Sequence, residues 1–441
     1  MRSTYPRYAR PSGWNQLLPP RQIPAAALEG EHRVRFAVIG AGYAGIAAAR
    51  QLAESFPGEP IVLLESGTVG DGAAGRNSGF MINLPYAKIL GSRNAAETEW
   101  QKTLLQTGHA WLEALVAQHQ IDCGWRTCGN YKGATTARGE AELRQLATQL
   151  TSLGVPFKAL TREELTQTLG TSFYRHALWM PSCTLVQPAA LIRGLADALP
   201  TQVTLAEHTP VLDVQRGRPH RLVTPNARID ADVVVFANNA FLGRFGLARN
   251  RQITVYTYAA LTPALPEDEA ARLGSASDWG MVPAERMGAT TRKVGGNRYM
   301  IRTGFSYDRE QDNAEIEVML QQAYRMRYPQ MRRHDLEYVW GGAVSLTRNG
   351  APFFGQVAPG MYGVSGCNGS GIIKMSLLGR LLAEQIAGQN SPLLQRCMAW
   401  ATPTWIPPEP LRRIAVSMSM RKYQRQMRDD KADATRLAFS R

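Results

Sequence analysis

The run Arg35-Phe36-Ala37-Val38-Ile39, followed at once by Gly40-Ala41-Gly42-Tyr43-Ala44-Gly45 and the alanine-rich stretch Ile46 to Ala53, leaves few folds open. A short apolar segment with β-branched members and then three glycines spaced G-x-G-x-x-G reads as strand, tight turn and helix. A second apolar run, Ile61 to Leu64, ends in Glu65, closing a βαβ unit of about 30 residues. Gly40 permits the turn, Gly42 lets backbone approach a pyrophosphate, and Gly45 lets helix pack on strand. Phosphate then sits at the helix N-terminus, and the carboxylate of Glu65 meets ribose hydroxyls.

NAD and FAD share this fingerprint. The next segment, Gly70-Asp71-Gly72-Ala73-Ala74-Gly75-Arg76-Asn77-Ser78-Gly79-Phe80, is a long loop of small residues whose amides can wrap a second phosphate or a flavin edge. An NAD domain has no use for it. Near the other end, strand Tyr362-Gly363-Val364, the glycine turn Gly366 to Gly371 and an amphipathic helix Ile372 to Ile386 put a second helix N-terminus behind a second glycine turn. FAD is therefore the expected cofactor.

These segments resemble the D-amino-acid-oxidase-like superfamily of FAD enzymes, in which the βαβ unit is followed by a G-x-S/A-x-R/x-N-x-G stretch; the branch containing gamma-glutamylputrescine oxidoreductase is the most similar. Trp340-Gly341-Gly342, Thr347-Arg348-Asn349-Gly350-Ala351-Pro352, Phe354-Gly355, Gly366-Cys367-Asn368-Gly369-Ser370-Gly371 and Gly379-Arg380-Leu381-Leu382-Ala383-Glu384 are similar to signatures of its C-terminal part. Asn349 and Ser370 depart from the Asp and His that relatives often carry, so no relative's substrate is transferred. The resemblance implies that Gly40, Gly42, Gly45 and Glu65 hold the ADP half, and that Ala74, Arg76, Asn77, Ser78 and Gly79 line pyrophosphate or flavin. It implies that Val211 offers backbone to adenine and that Gly342, Gly369, Gly371 and Ile372 approach the isoalloxazine. No cysteine falls between Trp340 and Gly355, which favours non-covalent FAD, with Cys367 the residue to check. The implied activity is oxidation of the C–N bond of a small amine or amino acid, hydride passing to the flavin and the imine being hydrolysed, with oxygen or a quinone as final acceptor.

A chain of 441 residues exceeds a single core and suggests two domains. The expected fold class is α/β: a Rossmann-like FAD-binding domain (31–95, 180–245 and 340–390) with a discontinuous α+β substrate domain on a mixed sheet (96–179 and 246–339), an N-terminal arm (1–30) and a basic tail (391–441). In the substrate domain, Arg302 and Arg348 are candidate carboxylate clamps, because a guanidinium grips carboxylate bidentately. Tyr256 and Tyr258 alternate to share one strand face and are candidate cavity walls. Lys374 reads as a helix-surface lysine.

Composition narrows the remaining classes. Five scattered cysteines without a C-x-x-C pair, and seven histidines without a paired metal-binding spacing, predict neither a disulfide framework nor a metal site, and fit a cytoplasmic protein. Prolines break the basic first 30 residues, so no signal peptide is expected, and no stretch reaches the roughly 18 apolar residues of a spanning helix. The net charge of +14 concentrates at the end, where residues 411–441 carry nine Lys or Arg against three Asp. With Met418, Met420, Tyr423 and Met427 among these charges, an amphipathic helix on the inner face of an acidic membrane is a second expectation beside a solvated one. An NAD(P)-dependent dehydrogenase and a basic binding protein are the competing readings; no recognised nucleic-acid module appears, so nucleic acid is not an expected partner. Oligomeric state is left open.

Overall fold

The computed structural model describes residues 3–21, 25–85, 95–285, 287–331 and 334–422. Met427, like all residues from Tyr423 onward, lies outside them.

Two large sheets organise the described residues, with strands numbered in chain order. The first runs β17 (Phe353–Ala358), β18 (Met361–Ser365), β11 (Ala227–Phe236), β1 (Gly30–Ile39), β2 (Ile61–Leu64) and β8 (Val203–Ala206), with β9 (Asp213–Gln215) and β10 (His220–Val223) hanging from β11. The central pairs are parallel, Val38 lying against Leu63 on one side and Val235 on the other. All four residues of β2 are buried, as an inner parallel strand covered on both faces must be. One covering layer is helical: Tyr43–Ser55 and Gly371–Ile386 cross so closely that a Cβ on Gly379 would sit 2.1 Å from the Ala44 carbonyl oxygen. Helix Ala95–Gln118 packs beside them. The α/β class, with a Rossmann-like first unit and a mixed second sheet, is the fold observed.

The second sheet runs β16 (Tyr338–Leu346), β12 (Ile253–Leu261), β15 (Arg298–Tyr307), β14 (Thr290–Val294), β13 (Gly280–Pro283), β4 (Asn130–Ala134), β6 (His176–Met180) and β5 (Lys158–Thr161). It is antiparallel except where β13 meets β4. A small pair, β3 (Phe80–Ile82) and β7 (Cys183–Leu185), links the two. β16, whose Trp340 and Gly342 fall in the segment expected with the FAD-binding domain, is hydrogen-bonded along β12 at the edge of this second sheet.

Described residues towards both ends pack against the body of the chain. Trp14 is fully buried edge-on to Trp340, ring centroids 6.2 Å apart, and donates from Nε1 to the Asn77 carbonyl at 2.8 Å. At the other end, helix Pro392–Met398 buries Leu394 and Cys397, and Trp400 packs on Trp100. The helix over 411–422 leaves Leu411, Ile414 and Met418 exposed, while Arg413 reaches back to Asp308 and the Tyr307 ring.

Candidate active site

A cleft of about 500 Å3 opens where the first sheet's strand ends face the second sheet. At one end the turn after β1 is held by Glu65, whose Oε2 accepts from the Ala41 amide at 2.9 Å while Oε1 accepts from the Ser66 hydroxyl and the Gly67 amide. Gly40 takes φ +99° in this turn, a conformation a side chain would strain. Two helices begin on the cleft, at Tyr43 and at Gly371. Neither has a side-chain cap at Gly42 or Ser370, whereas Thr136, Thr161, Gln187 and Asn313 cap other helices with side-chain oxygens. Their first amides are left for an anion or an electron-rich ring edge.

The expected cofactor residues separate into two groups. Gly40, Gly42, Glu65, Ala74, Arg76, Asn77, Ser78, Val211, Gly342, Gly369, Gly371 and Ile372 line the cleft. Gly45 and Gly79 lie behind its wall. A Cβ on Gly45 would stand 1.8 Å from the Gly40 carbonyl oxygen, and one on Gly79 would stand 2.1 Å from the Val186 oxygen and 2.5 Å from the buried Arg292 guanidinium. Their role is packing; for Gly79 this corrects the expected place on the wall. By contrast, a Cβ on Gly42 would meet nothing nearer than Ala74 Cβ at 3.8 Å.

Arg76 has a further role besides lining the cleft. Its guanidinium donates to three backbone carbonyls, of Asp71 at 2.6 Å, Gly341 at 2.9 Å and Arg10 at 2.8 Å, and lies 3.7 Å from the centre of the Tyr8 ring. It thus clamps the glycine loop, β16 and the N-terminal segment together. Burial pulls its pKa below the ordinary guanidinium range, and burial raises the Tyr8 phenol to about 12 against the pull of Arg76.

The second sheet forms the other wall. Arg302 lines it, lying 5.3 Å from the Phe305 ring centre with Nη1 3.5 Å from Thr290 Oγ1. Arg348 does not: it is exposed on the turn after β16, where a long polar side chain is hydrated. Tyr256 and Tyr258 share a strand face as expected, but it is the face turned from the cleft. Tyr258 hydrogen-bonds Ser306 at 2.6 Å, and both tyrosines belong to the core beneath helix Ala314–Arg327. Their neighbours Thr257 and Ala259 line the cleft instead. Lys374 is buried rather than exposed, and desolvation pulls its ammonium down to about 8 against the influence of Cys367.

Several lining groups carried no local signal. Thr4, Tyr5, Pro6 and Tyr8 lie along the cleft, and Thr4 Oγ1 donates to the Val211 carbonyl at 2.7 Å. Asn238, at the end of β11, has both amide atoms buried without partners among the described residues, as has Thr257 Oγ1. Unpaired polar atoms in such a place are costly unless a ligand meets them. The uncapped helix starts, the open space above Gly42 and these orphaned atoms fit a long dinucleotide. No group of His, Cys, Asp or Glu among the described residues has metal-binding geometry.

A parallel nucleotide-binding sheet and a cleft running from its fingerprint turn onto a second, mixed sheet define a dinucleotide-dependent oxidoreductase of the flavoprotein type. The comparisons are more specific: the chain belongs to the FAD dependent oxidoreductase family, whose model matches residues 35–385. Gamma-glutamylputrescine oxidoreductase of Escherichia coli (strain K12) is 26% identical to it over 363 residues, covering 80% of this chain and 83% of that protein. The probable oxidoreductase OrdL of Haemophilus influenzae is 26% identical over 378 residues, covering 81% and 83%. Among solved structures, glycine oxidase from Geobacillus kaustophilus shares the fold with a TM-score of 0.70 at 23% identity, covering 82% of this chain and 96% of that one. NikD, an amino acid oxidase, does so with a TM-score of 0.65 at 16% identity, covering 86% and 99%.

Proposed function

We propose that this FAD-dependent oxidoreductase oxidises the C–N bond of a small amine or amino acid, and that Arg302 receives the substrate's carboxylate. The observation that carries this reading is the position of Arg302: a guanidinium on the cleft wall formed by the second sheet, one strand from Ala259 and Thr257. Gly40, Gly42, Glu65 and Val211 take the ADP half of the cofactor; Ala74, Asn77 and Ser78 the pyrophosphate; Gly342, Gly369, Gly371 and Ile372 the flavin. The unit built on the first sheet serves the nucleotide and that on the second the substrate. When bound, FAD supplies a two-electron acceptor for carbon-bound hydrogen.

The chain's own residues prepare the substrate. Ala259 and Gly342, beside Thr257 on the cleft wall, give the amine apolar neighbours, which disfavours a charged ammonium and so favours the neutral amine that hydride loss requires. Thr257 Oγ1, buried and unpartnered among the described residues, accepts an amine N–H. Cys367 is the cysteine among the lining residues, and its thiol is engaged with the Ser345 carbonyl at 3.7 Å and the Asn239 amide at 3.3 Å, consistent with FAD held non-covalently.

Anaerobic addition of a panel of amines and amino acids to the yellow protein tests the reading: bleaching of the flavin bands by one class supports it, and no bleaching by any member rejects it. Arg302→Met is expected to cost about 2–4 kcal/mol for carboxylate-bearing substrates, a fall of about 30- to 1000-fold in kcat/KM. Amines without a carboxylate are expected to change by less than about threefold, and an equal loss for both sets would remove Arg302 from the clamp.

A second feature supports peripheral contact with an acidic membrane, at its cytoplasmic face. The helix over 411–422 exposes Leu411 at 61% and Met418 at 66%, with Ile414 between them, beside Arg413, Arg421 and Lys422. No helix among the described residues is long and apolar enough to cross a membrane, so the contact is of the surface kind. Full-length protein is expected to sediment with vesicles containing acidic phospholipid, and protein lacking residues 411–441 to stay in the supernatant. Equal sedimentation of the two proteins would count against the contact.

A further inference from the structure

Strand register places Arg302 in a row that continues across the sheet. Arg302 pairs with Thr290, Met281 with Thr291, and Val282 with Lys132, so Thr290, Val282 and Lys132 follow Arg302 in turn over β14, β13 and β4. Residues paired across strands point to one face, and all four line the cleft. At about 4.8 Å per strand the row is about 14 Å long between backbones. It has a cation at each end.

Lys132 is not accounted for by its surroundings. No hydrogen bond or ion pair holds its ammonium among the described residues. Neither acid that influences it bonds to it: Glu285 Oε1 accepts from the amides and hydroxyls of Thr135 and Thr136 while its Oε2 is buried without a partner among the described residues, and Glu142 faces Arg138 at 3.5 Å. Burial pushes the Lys132 ammonium below the ordinary lysine range, while Glu142 and Glu285 act in the opposite sense. A half-buried ammonium on the cleft wall without a partner carries an uncompensated desolvation cost, which an anion arriving beside it offsets.

Two residues back on the same strand face, Asn130 also lines the cleft. It is 1% exposed, and its Oδ1 accepts no hydrogen bond among the described residues. A cation and an unsatisfied carbonyl oxygen thus stand side by side at the end of the cleft remote from Arg302.

From this juxtaposition we infer that Lys132 and Asn130 form a second recognition point, which takes a carboxylate carrying an N–H or hydroxyl donor beside it. Resting on the amine-oxidation reading above, this makes the substrate an elongated amine with an anionic group remote from the oxidised carbon. A compact amino acid reaches only one of the two cations. The apolar side chain of Val282, between Thr290 and Lys132, suits the methylene chain joining the two ends.

Glutarate and adipate, which cannot be oxidised as amines, test the site by calorimetric titration of the holoenzyme. Lys132→Met is expected to weaken both at least tenfold while leaving propionate within twofold, and Lys132→Arg to restore most of the loss. Matching flavin content and thermal midpoint across the variants identify a folded protein. No change in dicarboxylate affinity, or the same loss for propionate, overturns the inference. This titration contains no amine, so it reads the site even if no amine bleaches the flavin. In turnover, a carboxylate-tailed amine is expected to exceed its methyl ester at least tenfold in kcat/KM with wild type and to lose that advantage in Lys132→Met; a ratio unaffected by the substitution also overturns it.

Discussion

Gly42→Val is expected to fold at nearly wild-type stability and to emerge from purification without flavin, whereas Gly45→Ala, the smaller change, is expected to damage the fold itself. The difference lies in what a Cβ would meet. At Gly42 the nearest atom is 3.8 Å away and the backbone is extended, so valine is accommodated and obstructs only what must pass over that amide. The affinity for FAD should fall by about 3 kcal/mol, roughly 100-fold. At Gly45 the added methyl would lie 1.8 Å from the Gly40 carbonyl, forcing helix from strand at a cost of about 3 kcal/mol or more. Thermal melts of the apoproteins and titration with FAD separate the two effects. A Gly42→Val protein that retains flavin through gel filtration would show that the cofactor does not approach this turn.

Arg76→Met should be among the most destabilising single substitutions of a residue that lines the cleft. It strands the carbonyls of Asp71, Gly341 and Arg10 and removes the cation from the Tyr8 face. Each unsatisfied carbonyl costs about 1–3 kcal/mol, reduced where water can enter, so a net loss of about 3–5 kcal/mol is expected in denaturant unfolding. Arg76→Lys should recover less than half, because a single ammonium cannot span three diverging acceptors as a planar fork does. Trypsin should also cut the variants faster after Arg7, the N-terminal segment having lost its tether. Unchanged cleavage and stability would mean that Tyr8 and Trp14 hold the segment without Arg76.

What could be read in the sequence was what is local along the chain. Gly40 to Gly45, with a strand before and a helix after, specify their own conformation, and so does the turn from Gly366 to Gly371; both were found at the cleft. Alternation showed that Tyr256 and Tyr258 share a face of β12, but a period of two does not say which face looks inward. That is decided by the helix packed beneath the tyrosines, and the lining fell to Thr257 and Ala259. Arg302 and Arg348 were equivalent as text; a sheet position faces one into the cleft and a solvent turn takes the other out. Asn130 and Lys132 gave no motif, because their place depends on the parallel meeting of β13 with β4, 150 residues apart from Lys132 to Val282. Arg76 was found through its loop and lines the cleft, but its clamping of three carbonyls was not legible, since two of its three acceptors, in Arg10 and Gly341, lie far from it in sequence.

The N-terminal segment along the cleft bears on when the protein can acquire its cofactor. Its partners come late in synthesis: the Ala9 amide donates to Glu310, the Ala343 amide donates to the Tyr8 hydroxyl, and the Arg10 carbonyl is anchored through Arg76 beside Gly341. Contacts more than 300 residues apart are among the last to form on a growing or refolding chain. Residues 4–10 are thus among the last to dock, and the side of the cleft they line stays open until most of the chain is in place. A bound dinucleotide shares the cleft with Thr4, Tyr5 and Tyr8, so a restraint on this short segment is expected to change the residence time of FAD.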